Sequence, residues 1–379
     1  MVLMDEQAQT AQTGLEAWRR GDAVAARQAW EAVAAAGRAS PQLWLLLAQA
    51  RDVTGAGGGL VDQALDQVLA AAPQHIPALV MKGDRARDDD RAACSYYAMA
   101  LGHATEDDRK NPALARLLQQ AEVRYQAASA RFVDHLRSKV GETDAGPRFE
   151  EAVALVTGEK QLYLQQPNSF FFPGLPHRQF FPMEEFDWAP ALVAEFESIR
   201  DELIALQVSG TTAQPYVQAD PTRASHGHLL MDSANWSAFH LIDNGVPTDH
   251  ARRCPRTMAA LASVPMPLIE GRSPMALFSV LRAGTHIPPH HGLLNTRLIC
   301  HLPIIVPDHC RLRVGNETKS VHAGELMIFD DSIEHEAWND SDDTRVVLLF
   351  EIWRPELTAA ERGALTQLFE SIQIYAGGQ

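Results

Sequence analysis

Histidine is unevenly spread along this 379-residue chain: seven of its 15 histidines (His286, His290, His291, His301, His309, His322 and His335) fall within 286–335. Two strings there could do chemistry, Pro288-Pro289-His290-His291-Gly292 and Phe329-Asp330-Asp331-Ser332-Ile333-Glu334-His335-Glu336. Each lies at the junction of a loop and a strand. In a two-layered β barrel, two such distant positions can meet inside the mouth. Imidazole is a good ligand for iron, and a two-His site with open positions suits iron(II) oxygen chemistry. The usual third ligand is a carboxylate two residues after the first His, where this chain has Gly292. On spacing alone, a metal site and a cluster of satisfied polar histidines both stay open. Arg345 heads the apolar run 345–353. A guanidinium buried there needs an anionic partner, because an unpaired buried charge is costly. That partner is either a bound dicarboxylate, gripped through a two-pronged hydrogen bond, or a structural acid such as Asp330 or Asp343. The pairs Cys300-His301 and His309-Cys310 suggest zinc, but neighbours along a strand point to opposite faces and do not share one ion. There is no Gly-x-Ser-x-Gly string and no glycine-rich phosphate loop followed by Lys-Ser/Thr, so nucleophilic hydrolysis and P-loop chemistry lack support.

The segments around these residues read as β structure. Short apolar or alternating runs cover 276–281, 298–306, 311–314, 325–329 and 345–353, separated by turn residues such as Ala283-Gly284, Pro307-Asp308 and Gly315-Asn316. Closely spaced short strands indicate a sandwich or barrel rather than a βαβ sheet. Upstream, the aromatic and Pro-rich stretch from Phe170 to Pro182 predicts extended, non-helical chain. One amphipathic helix is expected over Pro190–Leu206.

Residues 1–140 differ in character. Alanine is abundant and apolar residues recur at helical spacing, as in Leu15, Trp18, Ala25, Ala29 and Trp30, with breaks at Gly21, Pro41, Gly55–Gly59 and Pro73. Short helices joined by tight turns predict stacked hairpins, and the interval from Pro41 to Pro73 is close to the tetratricopeptide period. A plain helical bundle is the alternative. Gly141, Asp144, Gly146 and Pro147 predict a linker over 141–150, with a second domain at 151–379.

Composition narrows the function. The formal charge is −15, from 33 basic and 48 acidic side chains. Residues 1–146 hold 16 basic and 19 acidic groups; the remainder holds 17 and 29. Phosphate backbones and anionic bilayers are poor partners for such a chain, so no nucleic-acid partner is expected. Four cysteines are too few for a disulfide framework in a chain of this length. Neither a secretory leader nor an apolar stretch of roughly 20 residues is visible. The expectation is a cytoplasmic protein with no membrane anchor.

The strings Gly284-Thr285-His286-Ile287-Pro288-Pro289-His290-His291-Gly292, Asn295-Thr296-Arg297, Phe329 to Asn339 and Trp353-Arg354-Pro355-Glu356-Leu357-Thr358 together resemble the aspartyl/asparaginyl β-hydroxylase domain. Phe172-Pro173-Gly174-Leu175-Pro176 and Trp236-Ser237 are similar to its amino-terminal part. The resemblance covers roughly 150–360. It implies an α + β multidomain chain: a tetratricopeptide-like helical repeat domain followed by a double-stranded β-helix of the jelly-roll, cupin-like kind. It implies an Fe(II)- and 2-oxoglutarate-dependent dioxygenase using O2, with iron held by His290 and His335 and no carboxylate ligand, so that Gly292 becomes a match. It further implies that Arg345 pairs with the far carboxylate of 2-oxoglutarate with Ser279 beside it. His301 would contact the end nearer the metal, and Arg297 would face a substrate or cosubstrate carboxylate. The family pattern often has a second Arg two residues after Arg297, where this chain has Ile299, which alters the substrate-anion site. The expected activity is hydroxylation at the β-carbon of Asp or Asn in a peptide or protein recruited by the helical repeats. The alternatives are the same chemistry on a lipid acyl chain or small molecule, and a non-catalytic repeat adaptor.

Overall fold

A computed structural model describes residues 2–140, 145–219 and 229–377. The chain divides into two compact units, 1–159 and 160–379.

The first unit is helical: α1 (Val2–Arg19), α2 (Ala23–Ala35), α3 (Pro41–Val53), α4 (Gly58–Ala71), α5 (Ile76–Arg85), α6 (Asp90–Gly102), α7 (Glu106–Lys110), α8 (Pro112–Val140) and α9 (Pro147–Val156). The starts follow local chemistry. The side chains of Asp22 and Ser40 accept from the amides of Ala25 and Leu43, and Pro41 sits in the first turn of α3 where its missing N–H costs nothing. Successive helices from α1 to α6 pack on one another, and α8 packs on α6 and α7. Ala17, Trp30 and Leu47 share one cluster, Leu45, Leu65 and Ala78 the next, and Leu79, Tyr97 and Leu118 a third. Gly14 lets the Trp30 indole lie against α1, since a Cβ there would overlap the ring. Within the expected linker, 141–144 lie outside the described residues, and Pro147 already begins α9.

The second unit is built on antiparallel β structure. Its strands are β1 (Phe180–Phe181), β2 (Gln214–Pro215), β3 (Trp236–Asp243), β4 (Val246–Pro247), β5 (Ala276–Leu281), β6 (Thr285–His290), β7 (Arg297–Ile305), β8 (Cys310–Val314), β9 (Glu317–Ser320), β10 (Met327–Phe329), β11 (His335–Asn339) and β12 (Arg345–Trp353). The larger sheet runs β1-β10-β7-β12-β5-β3-β2, with β4 beside β3; the smaller runs β6-β11-β8-β9. The two sheets share a core of Trp236, Leu277, Leu281, Ile299, Val347 and Leu349 against Ile287, Leu312, Val314 and Ala337. This two-layered antiparallel arrangement fits a jelly roll.

The other face of the larger sheet is also buried. Leu298, Cys300, Leu302, Leu348 and Phe350 pack against Leu192, Ile199, Leu203 and Leu261 of α10 (Ala189–Ala194), α11 (Phe196–Val208) and α13 (Pro255–Leu261); α12 (Asp249–Arg253) precedes α13 and α14 (Ala359–Gly377) ends the chain. Burial on both faces explains why β7 and β12 read as continuous apolar runs rather than alternating ones. The single helix expected over 190–206 is two helices, interrupted at Glu195. Strands β2, β3, β4, β6, β9 and β11 escaped the periodicity reading: β2 and β4 are two residues long, β6 carries two prolines, β9 is exposed throughout, and β11 mixes polar and aromatic residues. Among the described residues, no helix is long and apolar enough to cross a membrane.

Candidate active site

The smaller sheet brings the two key histidines together. His290 on β6 and His335 on β11 are direct cross-strand partners, with ring centroids 4.1 Å apart. Each ring is oriented by a backbone carbonyl two residues earlier. Nδ1 of His290 donates to the Pro288 carbonyl at 2.8 Å, and Nδ1 of His335 donates to that of Ile333 at 3.0 Å. A carbonyl can only accept, so both imidazoles are held in the tautomer whose Nε2 bears the lone pair, the form that ligates a metal. Burial, then the neighbouring His290 imidazole, holds His335 well below the usual imidazole range, which keeps it neutral.

The turn before β11 is pinned by Asp330. Its fully buried carboxylate accepts from the Ser332 amide at 3.0 Å and from Gln165 Nε2 at 2.6 Å, and pairs with the equally buried Arg354. Asp330 is therefore not the partner of Arg345. Asp343 has no ion pair with Arg345 either; its carbonyl accepts from Asn339 at 2.8 Å. Among the described residues, Arg345 has no hydrogen-bond or ion-pair partner, although it is 1% exposed, and its Nε is a buried donor with nothing to receive it. Burial lowers its pKa to about 10. A buried guanidinium left unpaired is costly, and a ligand carboxylate would complete it.

Ser279 and His301 share the inner face of the sheet with Arg345. Arg345 faces Leu281 in register, and Ser279 is two residues along the same strand. His301 is opposite Leu349, four residues along β12 from Arg345. Ser279 Oγ accepts from Trp236 Nε1 at 3.1 Å, which leaves its own hydroxyl proton available. Burial, then the positive charge of Arg345, pushes His301 down to about 3, so this imidazole is neutral.

Arg297 differs from Arg345. It already has two carboxylate partners, Glu351 and Asp331, the latter at 3.2 Å. Burial opposes its charge, but the two acids outweigh burial and raise its pKa. In this structure Arg297 meets protein carboxylates where the sequence led us to expect a ligand's. Asp331 is pushed up to about 6, by burial more than Arg297 offsets.

Sequence reasoning missed four neighbours: Trp236 as donor to Ser279, Tyr216 stacked on Trp236 at 4.2 Å, and the acids Glu351 and Asp331. The one available signal was Glu351, an acid inside an otherwise apolar strand. The cysteines do not form a metal site. Cys300 is in the core beneath the helices and Cys310 in the core between the sheets. Among the described residues, no three His, Cys, Asp or Glu side chains cluster to hold a metal, so any ion here relies on two histidines. A cavity of about 500 Å³ opens around Val306, Cys310, His322 and Asp340, at the far end of β11 from His335, and none of the six expected site residues lines it.

Residues 193–355 match the model of the family described as aspartyl/asparaginyl β-hydroxylase. The human aspartyl/asparaginyl β-hydroxylase is 36% identical over 138 residues, which cover 36% of this chain and 18% of its own length. Human aspartate β-hydroxylase domain-containing protein 2 is 32% identical over 213 residues, covering 54% of this chain and 55% of its own length. An ornithine lipid ester-linked acyl 2-hydroxylase of Rhizobium tropici is 34% identical over 176 residues, 45% of this chain and 58% of its own length. The chain thus spans at most about three fifths of these relatives.

Proposed function

Because residues 193–355 match the model of the aspartyl/asparaginyl β-hydroxylase family, we propose that this chain is an Fe(II)- and 2-oxoglutarate-dependent dioxygenase that hydroxylates an unactivated C–H bond. The observation that carries this reading is the buried, unpartnered guanidinium of Arg345, on the face of the larger sheet that packs toward the smaller sheet bearing His290 and His335. In the overall reaction, 2-oxoglutarate and O2 yield succinate and CO2, and the second oxygen atom converts C–H into C–OH.

His290 and His335 would hold the metal, which supplies the oxygen-activating chemistry. The protein's own groups bind and orient. Arg345 grips the far carboxylate of the cosubstrate in a two-pronged pair, a geometry that fixes direction as well as affinity. Ser279 donates its hydroxyl proton to the same carboxylate while Trp236 holds its oxygen from behind. His301, kept neutral by burial, contacts the cosubstrate nearer the histidines without adding charge. Trp236, with its ring 6.1 Å from that of His290, and Phe329, 5.6 Å from that of His335, wall the pair with apolar surface and exclude water. Arg297 acts through Glu351 and Asp331 as part of the wall. The helical unit, with tetratricopeptide-like stacking, presents faces for a macromolecular partner.

Two substrate readings remain in the proposal, an Asp or Asn side chain of a peptide and an acyl chain or small molecule. The pairing of Arg297 with protein acids favours the second. The test is anaerobic binding of iron(II) and 2-oxoglutarate followed by succinate release on adding O2. A chain that binds neither is not this enzyme.

A further inference from the structure

We infer that the substrate group reaching His290 and His335 is an aliphatic chain, uncharged at the reacting carbon, and that Ile299 and Glu351 set this preference. The inference rests on the hydroxylase reading above and names the substrate class of the same site.

Ile299 on β7 and Glu351 on β12 are partners in register. Ile299 is 4% exposed and has Phe329 on its other side, so apolar surface stands where the family resemblance places a second guanidinium. Glu351 is fully buried. Its Oε1 accepts from the Met275 amide at 3.0 Å, and its Oε2 pairs with Arg297. Asp331 takes the same guanidinium at 3.2 Å. Two carboxylates already hold Arg297, and Arg272, whose charge also reaches Glu351, completes a balanced cluster of two cations and two acids. An aspartyl side chain brought here would find no guanidinium left unbalanced and lose its hydration without a partner, which is costly. Arg345 cannot substitute, because it lies six residues along β12 from Glu351, about 20 Å at the rise of an extended strand.

The rim of the loop after His290 points the same way. The amides of Asn168 and Phe170 donate to the carbonyls of Gly292 and Leu293 at 2.9 and 3.1 Å, which lays the segment 164–171 beside that loop. Leu164, Phe171 and Leu293 there remain 43–50% exposed. Covering them with an aliphatic chain is favourable in proportion to the apolar area removed from water. Charge inside and apolar surface outside thus select the same class of ligand.

The test uses the full chain and two probes, N-lauroyl glycinamide and a peptide with one central aspartate. 2-Oxoglutarate binding is measured first, by calorimetry with manganese(II) in place of iron. Each probe is then titrated into that complex, and succinate release is followed with iron(II) and O2. The lauroyl probe should bind at least about tenfold more tightly and stimulate more succinate than the peptide. Ile299→Arg should shift the ratio of the two affinities at least about tenfold toward the peptide. Glu351→Gln, which removes one of the two carboxylates, should shift it in the same direction and serves if Ile299→Arg does not fold by circular dichroism. Tighter binding of the aspartyl peptide by the unaltered chain, or stimulation by neither probe, overturns the inference while the hydroxylase reading stands. Failure to bind 2-oxoglutarate overturns that reading and this inference with it.

Discussion

The missing side chain of Gly292 is where the carboxylate of Asp331 lies: a Cβ on Gly292 would overlap that group, and the Gly292 amide donates to the Asp331 carbonyl at 2.6 Å. The position that carries the third ligand in other two-His sites is thus filled, here, by an acid from a different loop that is held by Arg297. Glycine is needed here to leave room for the Asp331 carboxylate, not for an unusual backbone angle.

Gly292→Ala should therefore cost stability by overpacking, on the order of 1–3 kcal/mol. Gly292→Asp adds like-charge repulsion against Asp331 and should cost more. Neither should gain activity. Urea melts of both variants beside the unaltered chain check this; a fully stable Gly292→Asp protein would show that the two loops move apart freely.

His290→Ala and His335→Ala should each abolish tight iron(II) binding, because two histidines leave no spare protein ligand among the described residues. Equilibrium dialysis under nitrogen measures it. A variant that retains the metal at unchanged affinity shows that the ion is held elsewhere.

Arg345 should show opposite effects on binding and on stability. Arg345→Ala loses a charge-assisted contact to the cosubstrate worth on the order of 2–4 kcal/mol, about 30- to 1,000-fold in affinity. In the ligand-free protein the same guanidinium is buried and unpaired, so Arg345→Met, which keeps the volume and removes the charge, should be neutral or stabilising by about 1–4 kcal/mol. 2-Oxoglutarate should raise the melting temperature of the unaltered chain and leave that of Arg345→Met unmoved. If Arg345→Met instead lowers ligand-free stability sharply, the guanidinium is structural.

Acid should weaken the helical unit through Asp62. Its carboxyl is held below the usual range, first by hydrogen bonds from Arg85, with Nε at 3.0 Å and Nη2 at 3.2 Å. A depressed folded pKa gives stability that is full above the unfolded value near 4 and is lost as pH falls through the folded value. The side chain is 40% exposed, so the contribution is screened and below about 1 kcal/mol. Unfolding free energies of the full chain and of Asp62→Asn, compared at pH 6 and pH 3, should converge in acid.

A chain beginning at Lys160 should keep iron and 2-oxoglutarate binding, since every proposed ligand lies between 279 and 345 and the second unit has its own cores. If the helical unit recruits the substrate, coupled turnover at limiting concentration should fall while slow uncoupled 2-oxoglutarate decay persists. Unchanged coupled turnover would assign the helices another role.

By itself the sequence determined what depends on local periodicity and residue type. The helical character of the first part, the apolar strands at 276–281, 298–306 and 345–353, and the concentration of histidine beside them were legible because side-chain alternation and turn residues act over a few positions. The strings around His290 and His335 also carried the resemblance to the hydroxylase family. Partner choice was decided only by tertiary structure. Nothing in the sequence says that Asp330 is claimed by Arg354 and Gln165, so Arg345 could not be recognised as unpaired. Nor does it say that Glu351, 54 residues from Arg297, reaches its guanidinium, or that Asp331 occupies the space beside Gly292. Which acid meets which arginine depends on strand register across long loops, and register is fixed by the burial of both faces of the sheet, a property of the assembled layers rather than of any one segment.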